Sequence, residues 1–243
     1  MTTWSQQPSL PPSMAGNPLT ETLIALAGTP DDASWIDTQL LTIAQSSADL
    51  ITAIAYASVT AYREDAVTTV ATTSDIARTV DQAQYDDQTG PCLEALDTAA
   101  PTPVPDISAT MRWPGFRDSA SRLGVTASLS IPLFAGRGVS VAALNLYSRD
   151  AYDLAPLIAA VSAAYDPAAT PADEPLEPGG EALIAGLMGA FAVRARIQQA
   201  IGVIMATSHR TADAAYLVLR MRAAEKGTTL ADTATAVITE QQV

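Results

Sequence analysis

An α+β fold with an antiparallel sheet, followed by an all-helical tail, is the class this sequence predicts. Three observations point to it. The strand-like segments come in pairs joined by short turns, which is hairpin connectivity. Helical patterns are interleaved between those pairs. Beyond a proline-rich acidic stretch at 166–180 (DPAATPADEPLEPGG), every periodic segment is helical.

The elements follow in order. Residues 1–30 carry Pro8, Pro11, Pro12, Pro18 and Pro30 and read as a flexible tail, with one short helical possibility from Leu19 to Ala27. From Ser34, the residues Ile36, Leu40, Leu41, Ile43 and Ala44 recur at helical spacing. Ala53–Tyr62 alternates Tyr56, Ser58, Thr60 and Tyr62 against Ala57, Val59 and Ala61; with Val67–Thr73 it predicts a hairpin across Arg63-Glu64-Asp65. Ser74 caps a helix to Tyr85, and Pro91 opens another, where its missing N–H costs nothing. Pro101–Ile107 is a proline-marked edge strand. Trp113, Pro114 and Phe116 open a helix to Leu123. Val125–Phe134 and Val139–Ser148 form a second hairpin about Gly136-Arg137-Gly138. Residues 155–165 are helical.

After the linker, Glu181–Ser208 predicts one long helix, Thr211 caps a second that ends at Gly227, and Thr229 with Asp232 opens a third. Along the long helix Ile184, Leu187, Met188 and Phe191 fall on one side at about 100° per residue. Val193, Ile197, Ala200, Ile201 and Ile204 fall roughly opposite. The expected arrangement is a connecting helix, 181–193, whose first group forms a dimer seam while the second packs a small bundle.

Composition sets the exclusions. The chain has 243 residues, 13 basic against 26 acidic, and a net charge of −13. Taken whole, that balance opposes non-specific binding to a polyanion. Divided, residues 1–193 hold 7 basic and 22 acidic residues (−15), and 194–243 hold 6 and 4 (+2). Cys92 is the single cysteine and His209 the single histidine, so no disulfide, multi-cysteine or multi-histidine metal site is expected. No secretory signal or membrane-length apolar run is present, and the expected compartment is the cytoplasm. Catalysis finds no support: Asp31-Asp32 and Asp86-Asp87 read as solvated turn carboxylates, and Gly179-Gly180 as linker. No enzyme is expected.

Two groups of motifs carry a family resemblance. The run Arg194-Ala-Arg-Ile-Gln-Gln-Ala-Ile-Gly-Val-Ile-Met205, with Ala215-Tyr216, Leu219-Arg220 and Leu230-Ala-Asp-Thr-Ala234, resembles the ANTAR family over 194–243. Upstream, 31–165 resembles a GAF sensor domain. Tyr85 with Gly90-Pro-Cys-Leu93, Val104-Pro-Asp106, Trp113-Pro114, Ser130-Ile-Pro-Leu133 and Ala143-Leu-Asn-Leu-Tyr-Ser148 carry that likeness.

The resemblance implies a homodimer that binds paired stem-loops in nascent RNA and keeps a terminator hairpin from forming. A small-molecule or protein signal would act at the GAF-like domain. Arg194, Arg196, Arg210, Arg220, Arg222 and Lys226 are the phosphate candidates, Arg194 and Arg220 fitting the family pattern best; the alternative for each is an ordinary solvated helix face. Two positions depart from the family: Ile201, where lysine is usual, and Ala231, where a basic residue is frequent. They favour the rival reading, a ligand-sensing or protein-interaction scaffold whose helical tail no longer binds RNA. A tail with six cations beside so acidic a body is expected to bind RNA selectively, weakly, or only when the sensor swings away.

Tyr56, Tyr62, Cys92, Trp113 and Phe116 are the candidate sensor-ligand residues. Cys92 at a helix start has two readings, a dipole-favoured reactive thiol or a buried small hydrophobe, and the second is preferred. No cofactor is expected: no histidine follows Cys92 as bilin attachment requires, and none lies in 1–193 for haem. Tyr216 sits on an apolar stripe, which favours core packing over base stacking. His209 reads as a surface turn, and Met188, Met205 and Met221 as core or dimer filler.

Overall fold

The computed structural model describes residues 16–63, 66–166, 168–169 and 174–240. The expected tail up to residue 15, the turn residues Glu64 and Asp65, and part of the 166–180 linker lie outside the described residues. The order is α1 (Pro18–Ala27), α2 (Ile36–Leu50), β1 (Tyr56–Arg63), β2 (Ala66–Thr72), α3 (Asp75–Asp86), α4 (Pro91–Thr98), β3 (Thr102–Val104), α5 (Pro114–Arg122), β4 (Ala127–Ala135), β5 (Val139–Ser148), α6 (Ala151–Tyr165), α7 (Pro178–Ser208), α8 (Ala212–Lys226) and α9 (Leu230–Glu240). The strands form one antiparallel sheet in the order β2-β1-β5-β4-β3. The expected α+β class is what the chain adopts.

Strand alternation assigns the two faces. Ala57, Val59, Leu129, Ile131, Leu144 and Leu146 point to one side, where α1, α2, α6 and the first half of α7 cover them. Ser58, Thr60, Ser128, Asn145 and Tyr147 point to the other and are buried there. That side is covered by α3, α4 and α5, with Trp113 and Phe116 in its apolar part.

Helix α1 corrects the expected flexible tail. Asn17 caps it, its side chain accepting from the Leu19 N–H at 3.0 Å, and Pro18 occupies the first turn. Leu19, Leu23 and Leu26 then line one face and are fully buried, while the Thr20 hydroxyl donates to the Ala182 carbonyl of α7 at 2.8 Å. The helical possibility at Leu19–Ala27 is realised as α1; what the proline-rich composition of 1–30 did not show is the partner helix that makes so short a helix stable.

Helix α7 supplies that partner. A Cβ at Gly186 would lie 2.6 Å from Leu23 Cδ1, and one at Gly189 would lie 2.5 Å from Ile24 Cδ1. These glycines let the two helices approach closely. The dimer seam expected on α7 is therefore corrected: Leu187 is 2% exposed inside this chain, Ile184 and Phe191 are partly buried against the same core, and only Met188, 51% exposed, faces solvent. The expected change of apolar face does not occur either. Leu183, Gly186, Ala190, Val193, Ile197, Ala200 and Ile204 are all buried at alternating spacings of three and four, a single stripe along the helix. Small residues at 186 and 190 obscured it in a pattern keyed on large side chains.

The helix also begins earlier than residue 181. A Cβ at Gly179 would meet the Leu50 carbonyl oxygen at 1.9 Å, so Gly179-Gly180 belongs to a packed first turn rather than to linker.

The caps of the helical tail follow the sequence. His209 and Gly227 are left-handed C-caps. Thr211 accepts from Ala214 N–H at 3.3 Å. Thr229 accepts from Asp232 N–H at 3.0 Å while its hydroxyl donates to the Asp232 carboxylate at 2.8 Å. Among the described residues no helix is long and apolar enough to cross a membrane.

Candidate nucleic-acid interface

The second half of α7 packs with α8 and α9 into a small bundle around Ile197, Ile201, Ile204, Ala215, Tyr216, Leu219, Leu230 and Ala234. Both departures noted in the sequence serve this bundle. Ile201 is 7% exposed within the core and Ala231 is packed against it. Tyr216 is 5% exposed, so its ring is core, as its position on the stripe predicts. Met205 and Met221 are not core filler: they are 37% and 61% exposed, and Leu217 on α8 is 55% exposed.

The six candidate cations fall into two groups. Arg196, Arg210, Arg222 and Lys226 enter no ion pair among the described residues; Arg210 and Lys226 are exposed and the other two partly so. Arg194 and Arg220, the pair that best fits the family pattern, are instead engaged by the rest of the chain. Arg194 donates from Nε to the Gly138 carbonyl at 2.9 Å and lies with its guanidinium carbon 3.9 Å from the Phe134 ring centroid. Burial there lowers its pKa. Arg220 pairs with Asp32 through Nη2, at 2.8 Å to Oδ1 and 2.9 Å to Oδ2.

The contacts around these two arginines form a continuous set. The Tyr216 hydroxyl donates to Asp31 Oδ1 at 3.0 Å, and burial together with that carboxylate raises the phenol pKa. Arg137, at the tip of the β4–β5 hairpin, reaches Asp213 at 2.6 Å and Asp31 at 3.5 Å. Gly136 has φ +55° and Gly138 φ +85°, a region that favours glycine. A Cβ at Gly136 would stand 2.5 Å from the Tyr216 hydroxyl, and one at Gly138 would stand 2.8 Å from Gln198 Nε2. Beside this set lies a cleft of about 950 Å³, walled by Trp35, Gly28 and Pro30 on one side and by Arg220, Ala223 and Leu230 on the other. Trp35 is 54% exposed at its edge.

Sequence reasoning missed Asp31, Asp32, Phe134 and Arg137 as parts of this interface. Adjacent turn carboxylates are ordinarily solvated, and nothing local reveals a helix 188 residues away.

The five sensor candidates are scattered. Trp113 and Phe116 pack edge-to-face, centroids 6.4 Å apart, inside an apolar cluster. Tyr56 is partly buried with Arg149 over its ring at 5.3 Å. Tyr62 is exposed and donates to Asp97 at 3.0 Å. Cys92 is fully buried and its thiol pKa is pushed up, first by desolvation and then by Asp81, which fits the small-hydrophobe reading.

Next to Cys92 the sheet carries a polar cluster the sequence did not flag. Asp81 is fully buried and accepts from Tyr147 at 2.6 Å, Thr69 at 2.8 Å and Asn145 at 3.3 Å. Burial raises its pKa to about 6 against the pull of those hydrogen bonds.

Comparison with known proteins places the bundle. Residues 185–238 match the family profile of the ANTAR domain. This segment is an ANTAR domain. The match begins nine residues before the expected start at 194, inside the part of α7 that carries α1. No curated protein matches the chain.

Among the solved structures that share a likeness with it are the following two. One is a domain of a protein described as a two-component sensor histidine kinase from Sinorhizobium meliloti 1021, at 12% identity and TM-score 0.38, covering 63% of this chain and 89% of that one. The other is the type II free methionine-R-sulfoxide reductase from Thermoplasma acidophilum, at 12% identity and TM-score 0.35, covering 59% and 90%.

Proposed function

We propose that this chain is a signal-responsive regulator whose ANTAR domain binds paired stem-loops in nascent RNA and so controls transcription termination. The observation that carries the reading is the ANTAR match at 185–238, a family of RNA-binding antitermination regulators, in the helical tail, where basic residues outnumber acidic ones six to four over 194–243. Arg196, Arg210, Arg222 and Lys226 supply phosphate contacts from the bundle surface. The motifs quoted above support a GAF-like sensor in 31–165, with an unidentified small molecule or protein as its signal. The chain acts as a cytoplasmic, non-catalytic regulator.

Homodimerisation belongs to the same proposal but not on the expected seam, because Ile184, Leu187 and Phe191 pack within this chain against the core shared by α1, α6 and the sheet. Two copies would meet through exposed Met205, Leu217 or Met221. Light scattering of wild type and Met221→Glu tests this; a monomer at every concentration removes the dimer from the reading.

A second reading, a scaffold without RNA binding, is favoured by Ile201, buried in the bundle core, and Ala231, packed against it, standing where the family carries basic residues. Gel shift with a dual stem-loop RNA decides between them. The regulator reading expects salt-sensitive binding at low ionic strength, with the log–log salt slope reduced by about one unit in Arg222→Ala and again in Lys226→Ala. No binding at low ionic strength supports the scaffold.

A further inference from the structure

We propose that the Asp31–Asp32 loop and the β4–β5 hairpin form an intramolecular clamp that competes with RNA phosphate for Arg220 and Arg194, holding the ANTAR domain in a low-affinity state. The inference rests on the RNA-binding reading above, and the test separates the two.

Both Asp32 carboxylate oxygens bear on one nitrogen of the Arg220 guanidinium, Nη2, at 2.8 and 2.9 Å, so a phosphate oxygen that is to bind that nitrogen must displace the carboxylate. A phosphate presents the same paired-oxygen geometry, so carboxylate and phosphate exclude each other at this nitrogen. Arg194 is engaged differently: its guanidinium stacks on Phe134 and its Nε donates to the Gly138 carbonyl, so that donor too is taken up by the β4–β5 hairpin.

The loop itself is positioned rather than loose. Gly136 N–H donates to the Thr29 carbonyl at 2.7 Å, tying the hairpin to the segment that carries Asp31 and Asp32. Asp31 in turn accepts from Tyr216 and pairs with Arg137. A loop built only to connect α1 to α2 needs none of these contacts.

The clamp is reversible on physical grounds. The Arg220 and Asp32 side chains remain 30% and 63% exposed, so the pair is accessible to competing anions and screened by salt. A multivalent RNA that already contacts Arg196, Arg222 and Lys226 raises the local concentration of phosphate beside Asp32 and displaces it. A sensor signal that shifts the hairpin would act on the same equilibrium from the other side.

The experiment uses the full chain. Asp31→Asn/Asp32→Asn is compared with Asp49→Asn/Asp153→Asn, which changes the net charge equally at exposed positions on α2 and α6. Affinity for a dual stem-loop RNA is expected to rise about fivefold in the first variant and the salt slope to steepen by about one unit, with the control close to wild type. In an Arg220→Gln background Asp32→Asn is expected to give no gain. An equal rise in both double variants, or a gain that persists without Arg220, overturns the clamp in favour of general electrostatics.

Retention on heparin, a polyanion, is read on the same proteins. Later elution of Asp31→Asn/Asp32→Asn than of the control supports the clamp even where no stem-loop binds, in which case only the RNA reading fails. Equal elution with equal RNA affinity overturns the clamp alone.

Discussion

The segment that begins the described chain meets the ANTAR-bearing helices in two ways within fifteen residues, and the contrast separates what is permanent from what is adjustable. Helix α1 docks on α7 through Leu19, Leu23 and Leu26, dry and close enough that Gly186 and Gly189 are required. A few residues later Asp31 and Asp32 meet α8 through ions and a phenol at a partly exposed seam. Apolar burial is non-directional and insensitive to salt, whereas exposed ion pairs are weak and screened. The first contact fixes the bundle to the sheet domain. The second decides which of its arginines face outward.

Substitutions that break the apolar contact have the largest expected effect. Leu23→Ala removes a fully buried side chain from the α1–α7 seam and is expected to cost about 2–5 kcal/mol, read as a shift of the denaturation midpoint. In the native protein a Leu187→Cys variant is expected to resist thiol reagents and to form no cross-linked dimer; rapid labelling would show the seam to be open. Together the two measurements ask whether α1 is a structural part of this fold.

A buried acid without a cation gives the next effect, and it sets Asp81 against Asp32. The carboxyl of Asp81 ionises at about 6 in the folded protein and near 3.8 when free. Between those values the folded state holds a proton that the unfolded state has lost. The contribution of Asp81 is thus fully present below about pH 4 and is lost as pH rises through 6, roughly 3 kcal/mol in all. Chemical denaturation across pH 4–8 is expected to show this falling component in wild type and not in Asp81→Asn. A wild-type profile parallel to that of the variant would remove the shifted acid.

Smaller effects sharpen the polar seam. Tyr216→Phe keeps the ring in the core and deletes the bond to Asp31, for about 1 kcal/mol by thermal unfolding. A double-mutant cycle on Asp32 and Arg220 is expected to give a coupling of about 0.2–1 kcal/mol that disappears near 1 M salt. A coupling that survives high salt would make this contact as permanent as the apolar one.

The legibility of the chain follows the same division. Caps, turns and periodicities are local, so Thr211, Thr229, Gly227 and the Gly136–Gly138 turn could be read directly, and so could the two strand pairs. The stripe on α7 was misread because its interface positions are glycine and alanine. Hydrophobic patterning counts large side chains, while close helix packing selects small ones. The functional surface was half legible: residue types and charge picked out the tail's cations, but not which of them are engaged.

The sequence by itself determined the α+β class, the helical tail, the charge asymmetry between −15 and +2, and the ANTAR resemblance. Each rests on chemistry within a few neighbouring residues. Only the tertiary structure decided that Leu187 and Phe191 pack within the chain rather than in the expected dimer seam, that Trp113 and Phe116 are core, and that Asp31 and Asp32 lie against Tyr216 and Arg220. Those facts join residues far apart in the chain, where no local period or motif records the partner.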